Sequence, residues 1–245
     1  MSARPSVMMT QFARCYFSGA ASLRSRLLVE TYEVEQLIAQ GNPSLRLINA
    51  SWYLPTQDID AMAQHQEHRL TQNTQYFDIK TIADVNSGLP NTMPSADVFI
   101  EHMQRLRIGR DCQIVCYDHP GMFSVARAAW MMRFFGAKNV RIMNGGLQKW
   151  IKEGRAVYSG PYTDGEGLPA DGDYSSWVAH DPSLVTMEIS KVHDIVRKLH
   201  HGDKEWQIVD ARPAARFNGE LPEPRNTRAG NIPKSLNVPF GQLID

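Results

Sequence analysis

The chain has 245 residues, of which 42% are hydrophobic and 21% are charged. This length and composition are typical of a globular protein with one large core or two modest cores, and they exclude a collagen-like or wholly disordered chain. Because 26 basic residues balance 26 acidic residues, no overall field favours nucleic acid or an anionic membrane surface as a partner. No run of about twenty apolar residues is present, so no membrane span is predicted.

Residues 1–29 have a composition of their own. They contain four arginines and five serines and no acidic residue. Such a segment is typical of a mitochondrial presequence, and it predicts a location in the mitochondrial matrix. The alternative is a disordered basic tail.

The sequence contains three cysteines, Cys15, Cys112 and Cys116. Three thiols are too few for a disulfide framework in a chain of this length, which favours a reducing compartment. Cys112 and Cys116 lie in the run 111–117, which has the pattern of a buried strand, so both are expected to pack as small hydrophobic residues. A zinc site at this pair would need further ligands nearby, and no metal or cofactor is predicted.

Between residues 31 and 152, helical and strand patterns alternate along the chain. The predicted helices are 31–39, 58–68, a segment that opens at Pro94-Ser95, 124–135 and 147–152, and the predicted strands are 45–50, 76–79, 113–117 and 140–143. In the third helix, Phe99, Met103 and Leu106 fall on one face. Alternation of this kind predicts an α/β fold, with a mostly parallel sheet and helices on both of its faces.

A second, shorter pattern follows a stretch with the composition of a linker. Residues 159–180 are rich in glycine, proline and acidic residues, and beyond them a predicted helix (189–199) and strand (207–211) repeat the opening of the first pattern. We therefore predict a tandem duplication, with a first domain over 30–158 and a partial second copy over 181–245.

Half a domain buries too little apolar surface to offset chain entropy, and it leaves one sheet edge unpaired. Three explanations stay open for residues 181–245. The second copy could be truncated, it could dock on the first domain, or a partner protein could complete it.

Several motifs carry a resemblance to a known family. They are Asp210-Ala211-Arg212, the run from Arg216 to Arg225, the stretch from Gly230 to Phe240, and, in the first domain, Ala50-Ser51-Trp52-Tyr53-Leu54-Pro55 and Asn144-Gly145-Gly146. Together they resemble the tandem rhodanese sulfurtransferases, the thiosulfate and 3-mercaptopyruvate enzymes. The resemblance implies a rhodanese-like fold. It also implies transfer of sulfane sulfur to a thiophilic acceptor through a cysteine persulfide.

In this family, as the resemblance implies, the cysteine thiolate begins a tight loop between a central strand and a helix. Backbone N–H groups and the helix N-terminus lower its pKa and hold the persulfide. The corresponding stretch of the first domain, 116–127, has Asp118 at the cysteine position. A carboxylate among amide donors is a stable anion but cannot form a persulfide, so the first domain is expected to be catalytically silent.

The resemblance also implies that the family's nucleophilic cysteine lies farther along the second domain than Asp245. The chain as given is therefore expected not to turn over. Recruitment of Cys116 instead would require a different backbone path, because it lies inside the strand.

The resemblance also implies two substrate-binding residues, Arg216 and Arg225. They match the positions that bind the carboxylate and carbonyl end of the substrate in mercaptopyruvate-type members, and a guanidinium fork suits a planar carboxylate. The alternative is that both are surface arginines close to Glu220 and Glu223.

Two motifs depart from the family pattern. The family's element Gly-His-Ile-Pro-Gly is replaced by Gly230-Asn231-Ile232-Pro233-Lys234. Leu70 stands at a position where the first domain of family members often has histidine. The nearby His65 and His68 are expected to be solvated helix residues rather than substitutes for that histidine.

Two functional hypotheses follow. The first is a sulfurtransferase ancestry, with thiosulfate or 3-mercaptopyruvate as the sulfur donor. The second is a non-catalytic binding subunit of a larger mitochondrial assembly, in which a protein partner completes residues 181–245.

Overall fold

The computed structural model describes residues 27–169, 173–174, 176–180, 187–223 and 227–243. The described residues form two compact units, one within 19–180 and the other within 181–245. Most of the predicted presequence, together with Cys15 and Arg225, lies outside the described residues.

The first unit contains a five-stranded sheet in which every neighbouring pair is parallel. Its strands are β1 (Leu28–Val29), β2 (Leu45–Asn49), β3 (Gln75–Tyr76), β4 (Gln113–Tyr117) and β5 (Asn139–Met143). They lie in the order β1-β5-β4-β2-β3. The central strands β2 and β4 are almost entirely buried, as expected of a parallel sheet covered on both faces.

Within the described residues of this unit, four α-helices connect successive strands and a fifth follows β5. They are α1 (Thr31–Ala39), α2 (Ala61–Glu67), α3 (Ala96–Arg105), α4 (Val125–Phe134) and α5 (Gly146–Lys152). Helix α3 begins after Ser95, whose side chain accepts a hydrogen bond from the backbone N–H of Val98, as an N-cap residue does. Phe99, Met103 and Leu106 are fully buried, so the predicted face of this helix is confirmed.

The predicted burial of Cys116 is also confirmed. Its side chain is completely enclosed, and its Sγ atom lies 3.8 Å from Met132 Sδ of α4. Cys112 is half-buried and lies just before β4. Asp118 follows the same strand directly, so Cys112 and Asp118 lie at opposite ends of β4.

The described part of 159–180 packs within the first unit, although its composition is that of a linker. The backbone N–H of Gly165 donates to Gln75 Oε1 at 2.7 Å, and the Tyr162 hydroxyl accepts from the Tyr76 backbone N–H at 3.0 Å. Trp177 is buried, with its ring 5.2 Å from that of Phe99 in an edge contact. This segment therefore belongs to the core of the first unit.

The second unit is smaller. It contains helix α6 (Ile189–His200), strand β6 (Val209–Asp210), helix α7 (Ala214–Phe217) and strand β7 (Leu236–Asn237). Strands β6 and β7 form a parallel pair in which Val209 lies beside Leu236 and Asp210 beside Asn237. Val209 and Leu236 share one face of this two-stranded sheet, and both are exposed.

No helix within the described residues is long and apolar enough to cross a membrane. In the same part of the chain, no group of three or more histidine, cysteine or acidic side chains is arranged to hold a metal ion.

Candidate functional site

The loop that joins β4 to α4 closes around the carboxylate of Asp118, which is fully buried. Five backbone N–H groups donate to this carboxylate. Gly121 and Met122 donate to Oδ1 at 2.8 and 2.9 Å, and Phe123, Ser124 and Val125 donate to Oδ2 at 2.8, 2.7 and 3.0 Å.

Successive N–H groups converge in this loop because its backbone turns tightly before the first turn of α4. Gly121 and Met122 both have a left-handed backbone conformation, with φ of 81° and 68°. Such turns form a concave nest of amide donors, and the helix N-terminus adds further positive potential. The loop is therefore an anion site, and the anion that occupies it is a side chain of the protein itself.

Close packing against the start of α5 fixes the other side of the loop. The N–H of Leu147 donates to the backbone carbonyl of Asp118 at 2.9 Å. A Cβ atom at Gly146 would lie 2.3 Å from the same carbonyl oxygen and 2.9 Å from Gly121 Cα. Glycine is required at position 146 because no side chain fits between these backbones.

Two serine hydroxyls tie the loop to the end of β2. Ser51 Oγ accepts a hydrogen bond from the backbone N–H of His119 at 2.8 Å. Ser124 Oγ donates to the carbonyl of Ala50 at 2.7 Å and accepts from the N–H of Trp52 at 3.1 Å. The carboxyl ends of two neighbouring strands are thereby held together.

His65 lies beside Asn49, the last residue of β2. The prediction that His65 is a solvated helix residue is wrong. It is fully buried, with the ring of Tyr162 in an edge contact 4.6 Å away. Asn49 Oδ1 accepts from the N–H of Ser51 at 3.0 Å, so the amide nitrogen of Asn49 faces His65 Nδ1 at 3.1 Å and donates to it. This hydrogen bond assigns the neutral tautomer with its proton on Nε2.

Two further polar side chains, Tyr53 and His119, form a hydrogen bond beside the loop. The Tyr53 hydroxyl donates to Gln64 Oε1 and lies 3.0 Å from His119 Nδ1, from which it accepts. Burial raises the pKa of Tyr53 to about 12. The pKa of His119 is lowered by burial and then by the charge of nearby His68. Tyr53, Gln64 and His119 are therefore joined by hydrogen bonds between uncharged groups beside the loop.

Neither cysteine of the described residues lies in the Asp118 loop. Burial raises the pKa of the Cys116 thiol strongly, so its thiolate, the reactive form, is disfavoured. Cys112 lies at the far end of β4.

In the second unit, the sequence-predicted Arg216 is part of a chain of alternating charges. Its guanidinium binds the carboxylate of Glu223, which also accepts a hydrogen bond from Arg212 Nη1 at 2.7 Å. Arg212 in turn binds the carboxylate of Asp210, with Nη2 to Oδ2 at 2.6 Å. Glu220, the other acidic residue expected near Arg216, bonds instead to the side-chain amide of Asn218.

The two units share a local geometry at the ends of their parallel strand pairs. After β2, the N–H of Ser51 donates to Asn49 Oδ1 at 3.0 Å. After β6, the N–H of Arg212 donates to Asp210 Oδ1 at 2.9 Å. The same turn thus follows both strands.

Comparisons with known proteins agree with this geometry. Residues 72–153 match the model of the rhodanese-like domain. The 3-mercaptopyruvate sulfurtransferase of Escherichia coli is 35% identical over 204 residues, which cover 83% of this chain and 68% of that enzyme. The chain belongs to the rhodanese family of sulfurtransferases. It spans about two thirds of the length of that relative.

Solved structures of this family show the same fold. The Tum1 protein of Saccharomyces cerevisiae superposes with a TM-score of 0.77 at 26% identity, covering 89% of this chain and 71% of Tum1. The sulfur transferase subunit of yeast mitochondrial complex I, which is substoichiometric in that complex, has a TM-score of 0.63 at 25% identity. In that comparison 89% of this chain and 75% of the subunit are covered. The mostly parallel sheet with flanking helices is thus the rhodanese fold, as predicted.

We expect Asp118→Asn to destabilise the first unit. An amide in place of the carboxylate would turn an NH2 group toward backbone N–H donors and leave at least two of them unsatisfied, at a cost of about 3 kcal/mol. The measurement is the free energy of unfolding in urea. The matched control is Asp111→Asn, because that side chain is 67% exposed. Equal stabilities of the two variants would contradict the structural role of Asp118.

His65 should make stability depend on pH. Burial, followed by the charge of Arg69, lowers its pKa to about 3, whereas a histidine in the unfolded chain has a pKa of about 6.5. Between these values the unfolded state binds more protons, so the free energy of unfolding falls as pH falls, by up to about 1.4 kcal/mol per pH unit. His65→Asn keeps an acceptor for Asn49 and removes this contribution.

The test compares urea unfolding of the wild type and His65→Asn between about pH 7 and pH 5. We expect a shallower pH dependence in the variant. His68→Asn is the control, because the His68 side chain is 38% exposed. A pH dependence unchanged by His65→Asn would contradict the burial of a neutral imidazole.

Proposed function

We propose that the chain belongs to the mercaptopyruvate-type branch of the family and retains part of its substrate recognition, while the 245-residue polypeptide does not transfer sulfur by itself. In active relatives the resemblance implies a cysteine persulfide inside a loop of amide donors. The observation that carries the proposal is the Asp118 loop, whose donors are fully engaged by a carboxylate. An occupied anion site can neither ionise a thiol nor hold a persulfide.

The domain organisation is part of this proposal. We assign a silent rhodanese domain to residues 30–158, with the described part of 159–180 packed in its core, and a partial second copy to 181–245. Support comes from the parallel pairs β2–β3 and β6–β7 and from the identical turn that follows β2 and β6.

A carboxylate-bearing sulfur donor suits the second copy better than thiosulfate does. Arg216 has a guanidinium fork, and Arg225 occupies the other position that the resemblance assigns to binding the substrate carboxylate. Two parallel N–H groups match the two oxygens of a carboxylate. The preferred donor in this proposal is therefore 3-mercaptopyruvate, and Arg216 and Arg225 are the substrate-binding residues.

The second candidate function is a non-catalytic subunit of a mitochondrial assembly. It is favoured by the similarity to the sulfur transferase subunit of yeast mitochondrial complex I and by the exposed apolar pair Val209 and Leu236 on one face of the short sheet. A partner chain that covers this pair would bury apolar area and stabilise the short two-stranded sheet. The acid-free residues 1–29 would direct the chain to the mitochondrial matrix.

The decisive experiment measures sulfur transfer and ligand binding on the same purified chain. Thiocyanate formation from 3-mercaptopyruvate and cyanide is expected to equal that of a variant with Cys15, Cys112 and Cys116 all replaced by serine. Binding of pyruvate, which retains the carboxylate and carbonyl but has no sulfur to transfer, is expected to be lost in Arg216→Ala.

Two outcomes would overturn the proposal. Thiocyanate formation that is abolished by Cys116→Ser would show that the chain is an enzyme. Pyruvate binding that is unaffected by Arg216→Ala would remove substrate recognition, and the subunit function would then be the better account.

A further inference from the structure

The guanidinium of Arg216 is bound along one edge only. Its Nε lies 3.3 Å from Glu223 Oε1, and its Nη2 donates to Glu223 Oε2. The two hydrogen bonds run side by side and involve the Nε–H and one of the Nη2–H groups. A carboxylate that binds this edge fixes the plane of the guanidinium as well as its position.

Three N–H groups of Arg216 are left, because a guanidinium carries five in a rigid planar fork. None of the three makes a hydrogen bond to a residue that the structure describes, and the side chain is 31% exposed. Two of them, one on Nη1 and one on Nη2, form the end of the fork. This end has the spacing that a second carboxylate requires.

Glu223 is itself held firmly. Its side chain is only 8% exposed, and Oε1 accepts from Arg212 Nη1 at 2.7 Å. Arg212 is anchored by the carboxylate of Asp210 and by the carbonyl of Gly230, which accepts from Nη2 at 2.7 Å. The hydrogen bond from Arg216, and then the charges of both arginines, hold the pKa of Glu223 below its usual value.

We infer that Glu223 is the positioning residue for substrate recognition in this chain. By binding the side edge of Arg216, with Arg212 as its brace, it directs the end of the fork toward the carboxylate of the incoming sulfur donor. This inference rests on the proposed function of Arg216 and adds the residue that orients it.

A simple electrostatic role for Glu223 has the opposite consequence. A negative charge beside Arg216 opposes the binding of any anion, so its removal would strengthen anion binding. Orientation matters for a planar carboxylate and not for a spherical ion. Removal of Glu223 therefore weakens pyruvate binding if Glu223 orients Arg216, and strengthens it if Glu223 acts only through its charge. A comparison of pyruvate affinity with chloride affinity separates the two roles.

The test is calorimetric titration of the 245-residue chain with pyruvate, and competition with chloride, in the wild type and in Glu223→Gln. We expect pyruvate affinity to fall on the order of tenfold, because a charge-assisted anchor is lost, while chloride affinity stays equal or rises. Glu220→Gln is the matched control, since it removes the same charge from an exposed neighbouring residue and should leave the preference for pyruvate unchanged.

Pyruvate binding that is unchanged or tighter in Glu223→Gln would overturn the inference. Equal losses for pyruvate and chloride would also overturn it, because they would indicate a structural role alone. If circular dichroism shows that Glu223→Gln does not fold, the affinities for pyruvate and chloride are compared in Glu223→Asp instead. Aspartate keeps the charge but is one methylene too short to reach both arginines, so this variant should lose the preference for pyruvate over chloride. A preference equal to that of the wild type would contradict the inference.

The failure of this inference can be told apart from the failure of the proposed function. If Arg216→Ala leaves pyruvate binding intact, Arg216 is not a substrate residue. If Arg216→Ala abolishes binding and Glu223→Gln does not alter it, only the role of Glu223 is refuted.

Discussion

Five backbone N–H groups and one buried carboxylate form the interaction on which the first unit depends. A buried charge is costly unless hydrogen bonds replace its hydration, and the amides of residues 121–125 supply them to Asp118. The same loop joins the ends of β2 and β4 through Ser51 and Ser124, and it meets the start of α5 through Leu147. The carboxylate thus stabilises the edge of the sheet at which β2 and β4 end.

The amide donors at this edge of the sheet are the physical basis of the proposed function. Donors that would lower the pKa of a thiol hold an aspartate instead, while the buried Cys116 has its pKa raised by the apolar core around it. In the second unit, by contrast, charges are paired so that Arg216 keeps part of its fork exposed. Under the proposed function, the second unit keeps a residue that recognises the substrate, Arg216, while the described residues of the first unit form no site that activates sulfur.

The sequence predicts those structural features that depend on residues close together in the chain. Buried strands such as β4 and the helix face of Phe99 follow from periodicity, and the loop around Asp118 follows from the family motif. The burial of His65 does not follow from a local pattern, because Tyr162, whose ring packs against it, lies far along the chain. The packing of Trp177 does not follow from the linker-like composition of 159–180 either, because its ring contacts Phe99 and its Nε1–H donates to the carbonyl of Ile108, both far earlier in the chain.

Hydrogen exchange at individual amides tests the central claim most directly. If the carboxylate of Asp118 binds the N–H groups of residues 121–125, those amides should exchange in nuclear magnetic resonance experiments as slowly as the amides of β2 and β4. In Asp118→Ala the same amides should lose this protection while those of β5 keep it. Exchange in the wild type at the rate of an exposed loop would contradict the account.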